Sequence, residues 1–173
     1  MWMWMHMNIE QRFALLADTS DIRLSEAWSE FIALWTDAPV LYDHDQDLLI
    51  FVNVKQSEAV RLKLETYLQG SLETLRLLLL PHTTNMRKEF TDYGFTSHFN
   101  RIYGYADNLF LFTIHSQGSD AQPHQALEQM EEHLLASCIV NGQAIYLTDN
   151  HSDELMLRIA RAYQCSIETF HMK

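Results

Sequence analysis

The chain has 173 residues, 23 of them Asp or Glu against 12 Lys or Arg, for a formal charge of −11. A surplus of this sign disfavours naked nucleic acid and anionic membrane as partners and favours a basic protein; it carries no information about the fold. The 47% apolar content with three Pro and five Gly describes a globular chain long enough to bury a core as one domain over 1–173. The longest run of leucines, Leu77–Leu80, is far short of the ~20 residues needed to span a bilayer. Cys138 and Cys165 sit in apolar surroundings and read as reduced thiols of a cytoplasmic protein.

The charge is segregated along the chain. Residues 1–50 carry nine acids and two bases, residues 51–103 five acids and seven bases, and residues 104–173 nine acids and three bases. The ends are therefore acidic around a mildly basic middle.

Residues 1–7, Met1-Trp2-Met3-Trp4-Met5-His6-Met7, alternate with period two and read as an arm or edge strand able to drive self-association. Residues 8–38 read as helical. Ile9, Phe13, Leu16 and Ala17 have helical spacing, as do Leu24, Trp28, Phe31, Ile32 and Trp35, closed by Asp37-Ala38-Pro39. Residues 40–173 read as the α/β part. Val40–Tyr42 and Leu48–Val54 are predicted strands joined by the acidic segment 43–47, and Ser57 caps a helix running to Gly70. Residues 72–80 admit helix or strand, with Gly70 and Pro81 favouring a strand.

A short helix is predicted over 84–93, then a hairpin of 98–105 with 109–115 around Ala106-Asp107-Asn108. A helix follows with Leu127, Met130, Leu134 and Leu135 inward and Glu128, Glu131 and Glu132 outward, broken only at Asn141-Gly142. A strand at 144–147, a helix with Met156, Ile159, Ala160 and Tyr163 on one stripe, capped by Asn150 or Ser152, and a strand at 167–171 complete the chain. The alternation implies an α/β (or α+β) fold, a mixed and partly parallel sheet with helices on its faces. If 72–80 is helical, the order instead spells a split βαββαβ sheet with a helical N-terminal part and a βα C-terminal addition.

Two constellations stand out. In an extended segment Asp43, Asp45 and Asp47 share one side. They form an acidic recognition face, with Glu26, Glu30 and Asp37 as helpers, or oxygen ligands for a divalent cation. Asp149 and His151 lie where a strand passes into a helix, so Asp43, Asp45, Asp149 and His151 meeting in space would make a divalent-metal centre for a nuclease or phosphoesterase. Asn150, Ser152, Asp153 and Glu154 are equally well explained as helix-capping and first-turn residues. No Gly-rich phosphate loop, serine elbow or zinc spacing is present.

Arg76, Arg87, Lys88 and Arg101 are interleaved with Phe90, Tyr93, Phe95, Phe99, Tyr103 and Tyr105, a pattern also used on single-stranded nucleic acid, but here inside an acidic chain. The leading expectation is a non-catalytic acidic domain without a cofactor, binding a basic protein as an immunity or antitoxin-type inhibitor does. The metal-dependent enzyme and a homo-oligomeric scaffold assembled through residues 1–7 are the alternatives.

Overall fold

The computed structural model describes residues 8–16, 41–65 and 72–170. The expected arm at 1–7 and the helix expected to carry Leu24 to Trp35 lie outside these residues, as do Glu26, Glu30 and Asp37.

The chain is an α+β protein of two sheets and three α-helices among the described residues. The first sheet runs β2(Leu41–Asp45)–β3(Leu48–Phe51)–β1(Glu10–Leu16)–β4(Glu73–Leu80)–β7(Ile102–Tyr105)–β6(Gly94–Thr96). The second runs β11(Cys165–Thr169)–β8(Leu109–Ser116)–β10(Gln143–Asp149)–β9(Ala136–Val140)–β5(Asn85–Met86). Every ladder among them is antiparallel, which corrects the expectation of a partly parallel sheet.

Local expectations change at 10–16, after Met130, at 106–108 and at 84–93, where β5 and a 3₁₀ turn over Lys88–Asp92 replace the expected helix, whereas at 73–80 the favoured reading holds. Residues 10–16 form the central strand β1, paired with β3 on one side and β4 on the other; ladder bonds to both neighbours override the helical spacing. The segment 73–80 is strand, which removes the split-sheet alternative. The helix predicted from 124 ends at Met130 (α2, Pro123–Met130), passes through a 3₁₀ turn at Glu131–His133, and gives way to β9. There Ala136, Cys138 and Val140 alternate inward, and Asn141 and Gly142, at φ 51° and 80°, form the turn to β10. Asn-Gly with both residues at positive φ is the favoured two-residue hairpin connection. Strands β7 and β8 are consecutive but belong to different sheets, so the hairpin expected around 106–108 is instead the crossing between sheets.

Helix α1 (Val54–Leu64) is capped by Asn53, whose side chain accepts from the Gln56 N–H at 3.0 Å; Ser57, the expected cap, lies inside the helix. Helix α3 (Asp153–Ala162) buries Met156, Ile159 and Ala160, the stripe expected of it.

The period of two places the layers. On β4, Leu78 and Leu80 meet Leu109, Leu111, Ile145 and Leu147 of the second sheet. The same face of the first sheet is covered further along by Val60 and Leu64 of α1 against Leu15 and Phe51. Helices α2 and α3 cover the far side of the second sheet around Phe112, Met130 and Met156. The opposite face of the first sheet gathers Ala14, Ile50, Leu77, Leu79 and Tyr103, with Tyr42 and Phe95, so all six strands contribute to it. No helix of the described residues is long and apolar enough to cross a membrane.

Candidate functional site

Strand β2 carries a bulge between Leu41 and Asp43: two steps on β2 match one on β3, from Phe51 to Ile50. A bulge re-aims the side chains at it. Asp43, opposite the fully buried Ile50, points to the face shared by all six strands and is 2% exposed.

Its carboxylate is met from the other end of the sheet. Oδ2 accepts from Ser97 Oγ at 2.7 Å and Tyr103 Oη at 2.8 Å, and Arg101 Nη1 lies 3.5 Å away. Oδ1 accepts from the His44 N–H at 2.8 Å. In a flat sheet β2 and β7 would stand four ladders apart, roughly 19 Å at ~4.8 Å each. The hydrogen bond to Tyr103 therefore requires the sheet to curl until its two ends meet. They join through side chains, and Arg101 Nη1 adds a hydrogen bond to the Tyr42 carbonyl at 2.9 Å.

The connection from β6 to β7 is shaped for this clasp. Ser97 N–H donates to the Arg101 carbonyl at 2.8 Å, Asn100 N–H donates to the Ser97 carbonyl at 2.9 Å, and Asn100 takes φ 57°. The tight turn presents Ser97 and Arg101 together. Burial, and then the hydrogen bond to Asp43, push the Tyr103 phenol well above its ordinary range, so it stays protonated and donates.

Two guanidinium groups flank Tyr42, Arg12 at 4.4 Å and Arg101 at 4.5 Å from the ring centroid. Arg12 is 6% exposed and pairs with Glu10, while its Nε has no hydrogen-bond partner among the described residues. Above the clasp, His44, His98 and Phe99 form an exposed aromatic patch, with His44 5.8 Å and His98 5.6 Å from the Phe99 ring.

Asp43 is thus withdrawn from the surface, and Asp43, Asp45 and Asp47 do not form one exposed face. Asp45 and Asp47 are half-buried at the β2–β3 turn. Asp149 Oδ1 accepts from the His151 N–H at 2.9 Å and its Oδ2 from Ser152 Oγ at 2.6 Å, so the aspartate caps the 3₁₀ turn Asn150–Ser152, while Ser152 holds the N-cap position of α3, one of the two positions expected, without a side-chain capping bond. It lies on β10, in the other sheet from Asp43. Among the described residues no three His, Cys, Asp or Glu side chains converge on a position for a metal ion.

The interleaved bases and aromatics are dispersed as well. Arg76 pairs with Asp107, Arg87 with Glu131 and Arg101 with Asp43, while Phe90 and Tyr103 are core residues. Ser97, Arg101 and Tyr103 were not legible as partners of Asp43, because 54 to 60 residues separate the bonded pairs. The chain matches no family model, no curated protein and no solved structure.

Proposed function

We propose that the protein is a non-catalytic binding domain that uses an acidic surface to engage a basic protein partner, an inhibitor being its most concrete form. The observation that carries this reading is the end of α2. Its last turn holds no base, and Glu128, Glu131 and Glu132 follow one another where the helix carbonyls already concentrate negative charge. Carboxylates there oppose the helix dipole and cost a few tenths of a kcal/mol each, so their presence is a local conflict of the kind found at functional surfaces.

The surrounding charge supports the same reading. Arg12, Arg61, Arg76, Arg87 and Arg101 each pair with a carboxylate of the same chain, Arg158 and Arg161 on α3 are exposed, and the chain as a whole carries −11. Glu132 and, on the neighbouring α3, Glu154 are exposed with no basic partner among the described residues. The contact face is therefore placed on the helix layer over the second sheet, centred on Glu128 and Glu132, in place of the Asp43–Asp47 segment.

The test uses the double variant Glu128→Gln, Glu132→Gln, which leaves the Glu131–Arg87 pair intact. Relief of the dipole conflict raises stability by about 0.5 kcal/mol. The basic proteins that the immobilised wild type retains from cell extract at about 0.15 M salt are lost from the variant. If the variant retains the same proteins with the same salt dependence, the reading is wrong.

A further inference from the structure

We infer that the wedge between the two sheets, opening beside Arg76, is a binding site for a small amphipathic anion: a short apolar body ending in a carboxylate. Twisted sheets packed face to face diverge away from their contact. Here α1 covers the first sheet at Leu15 and Phe51, and the second sheet covers it at Leu80 and Ile102. Between these covers, β1 and β4 present Gln11, Arg76 and Leu78 on one face, as their register requires, since Gln11 pairs with Leu78. Leu109, Leu111 and Phe170 stand opposite and leave a groove of about 360 Å³. That is the volume of roughly a dozen liquid waters, at the small end of ligand pockets, and suits a ligand of about a dozen heavy atoms.

Leucine and phenylalanine side chains form the floor, while polar atoms supply the larger share of the groove's open surface. Leu78, Leu109 and Leu111 belong to the core between the sheets, and Phe170 is fixed over them by its N–H donating to the Leu111 carbonyl at 2.9 Å. At the mouth Arg76 binds Asp107 through Nε and Nη2, so both hydrogens of Nη1 are unengaged. The Gln11 amide and the Thr169 hydroxyl also line the groove and have no hydrogen-bond partner among the described residues. The backbone at Asp107 is held by its carbonyl, which accepts from Asn150 Nδ2 at 2.7 Å. A few convergent donors over an apolar floor are the usual composition of a small-molecule site. The free arginine donors select an anion, which also sets this ligand apart from the basic partner proposed for the α2 surface.

The probe is octanoate, followed by ¹H–¹⁵N NMR titration of the full chain, with 1-octanol as the uncharged control. Octanoate is expected to shift the amides of Gln11, Leu111 and Phe170 saturably at millimolar concentration. Arg76→Gln weakens binding about three- to fivefold, and Asp107→Asn, which removes the competing carboxylate, strengthens it by a similar factor. Ala106→Phe, at the groove wall, fills the space and abolishes the shifts while the rest of the spectrum stays native. Absence of saturation by about 10 mM overturns the inference. So does equal binding of octanol, or indifference of affinity to both Arg76→Gln and Asp107→Asn.

Discussion

Tyr103 donates a 2.8 Å hydrogen bond to Asp43, and with that bond the edge strand β2 of a six-stranded sheet is joined to β7, next to its other edge. The pair stands 60 residues apart in sequence and is buried, with Ser97 Oγ and the His44 N–H as further donors and Arg101 as the ion-pair partner. Side chains here do what a backbone ladder does in a closed barrel, so removing one of them opens a seam.

Asp43→Ala leaves the Ser97 and Tyr103 hydroxyls and the His44 N–H without their acceptor and the Arg101 guanidinium without its carboxylate, and is expected to cost about 3–5 kcal/mol in urea unfolding. Tyr103→Phe removes a single donor and costs about 1–2 kcal/mol. The double variant is expected to be less destabilised than the sum by about 1 kcal/mol or more, because the two side chains touch. Additive losses would mean that the bond contributes nothing specific to closing the sheet.

Alkaline pH tests the same seam. Burial holds the Tyr103 phenol protonated in the folded state, whereas the unfolded phenol ionises near pH ~10. The folded state then retains a proton the unfolded state has lost, so this stabilisation is complete below pH ~10 and is lost as pH rises further. Cys138, pushed up to about 11 by burial, acts in the same direction from its lower unfolded value. Tyr103→Phe is expected to flatten the fall of unfolding free energy above pH ~10 by up to about 1.4 kcal/mol per pH unit, and to leave the Cys138 part in place. Equal alkaline slopes in wild type and variant would contradict this assignment.

Two glycines separate close approach from backbone freedom. At Gly94, paired with Gly104 across β6 and β7, a Cβ would lie 2.2 Å from the Tyr103 carbonyl oxygen and 2.6 Å from the Phe90 ring. The carbonyl is in the ladder and cannot retreat, so Gly94→Ala is expected to cost about 3 kcal/mol. Gly142 has open space around it but sits at φ 80°, so Gly142→Ala costs only the left-handed penalty of about 1 kcal/mol. Thermal unfolding of the two variants side by side checks the order.

The elements legible in the sequence are those whose evidence is local. The stripe Met156, Ile159, Ala160 is a helix whatever surrounds it, and Glu73–Leu80, held between Gly70 and Pro81, is a strand. The acid surplus was equally visible, but the burial of Asp43 beneath Ser97 and Tyr103 was not. Asn141-Gly142 carried a hairpin signal that the helical spacing of Leu127, Met130 and Leu134 obscured, and the strand Ala136–Val140 was lost with it.

Sequence by itself determined the charge, the apolar content and the segments whose periodicity satisfies their own hydrogen bonds. Only the tertiary structure decided that Glu10–Leu16 is a central strand, that β7 and β8 part into different sheets, and that an aspartate counted as surface charge is the buried joint of a curled sheet. The physical reason is range. A helix closes its hydrogen bonds within four residues, whereas a strand, and the carboxylate of Asp43, depend on donors that the chain delivers from dozens of residues away.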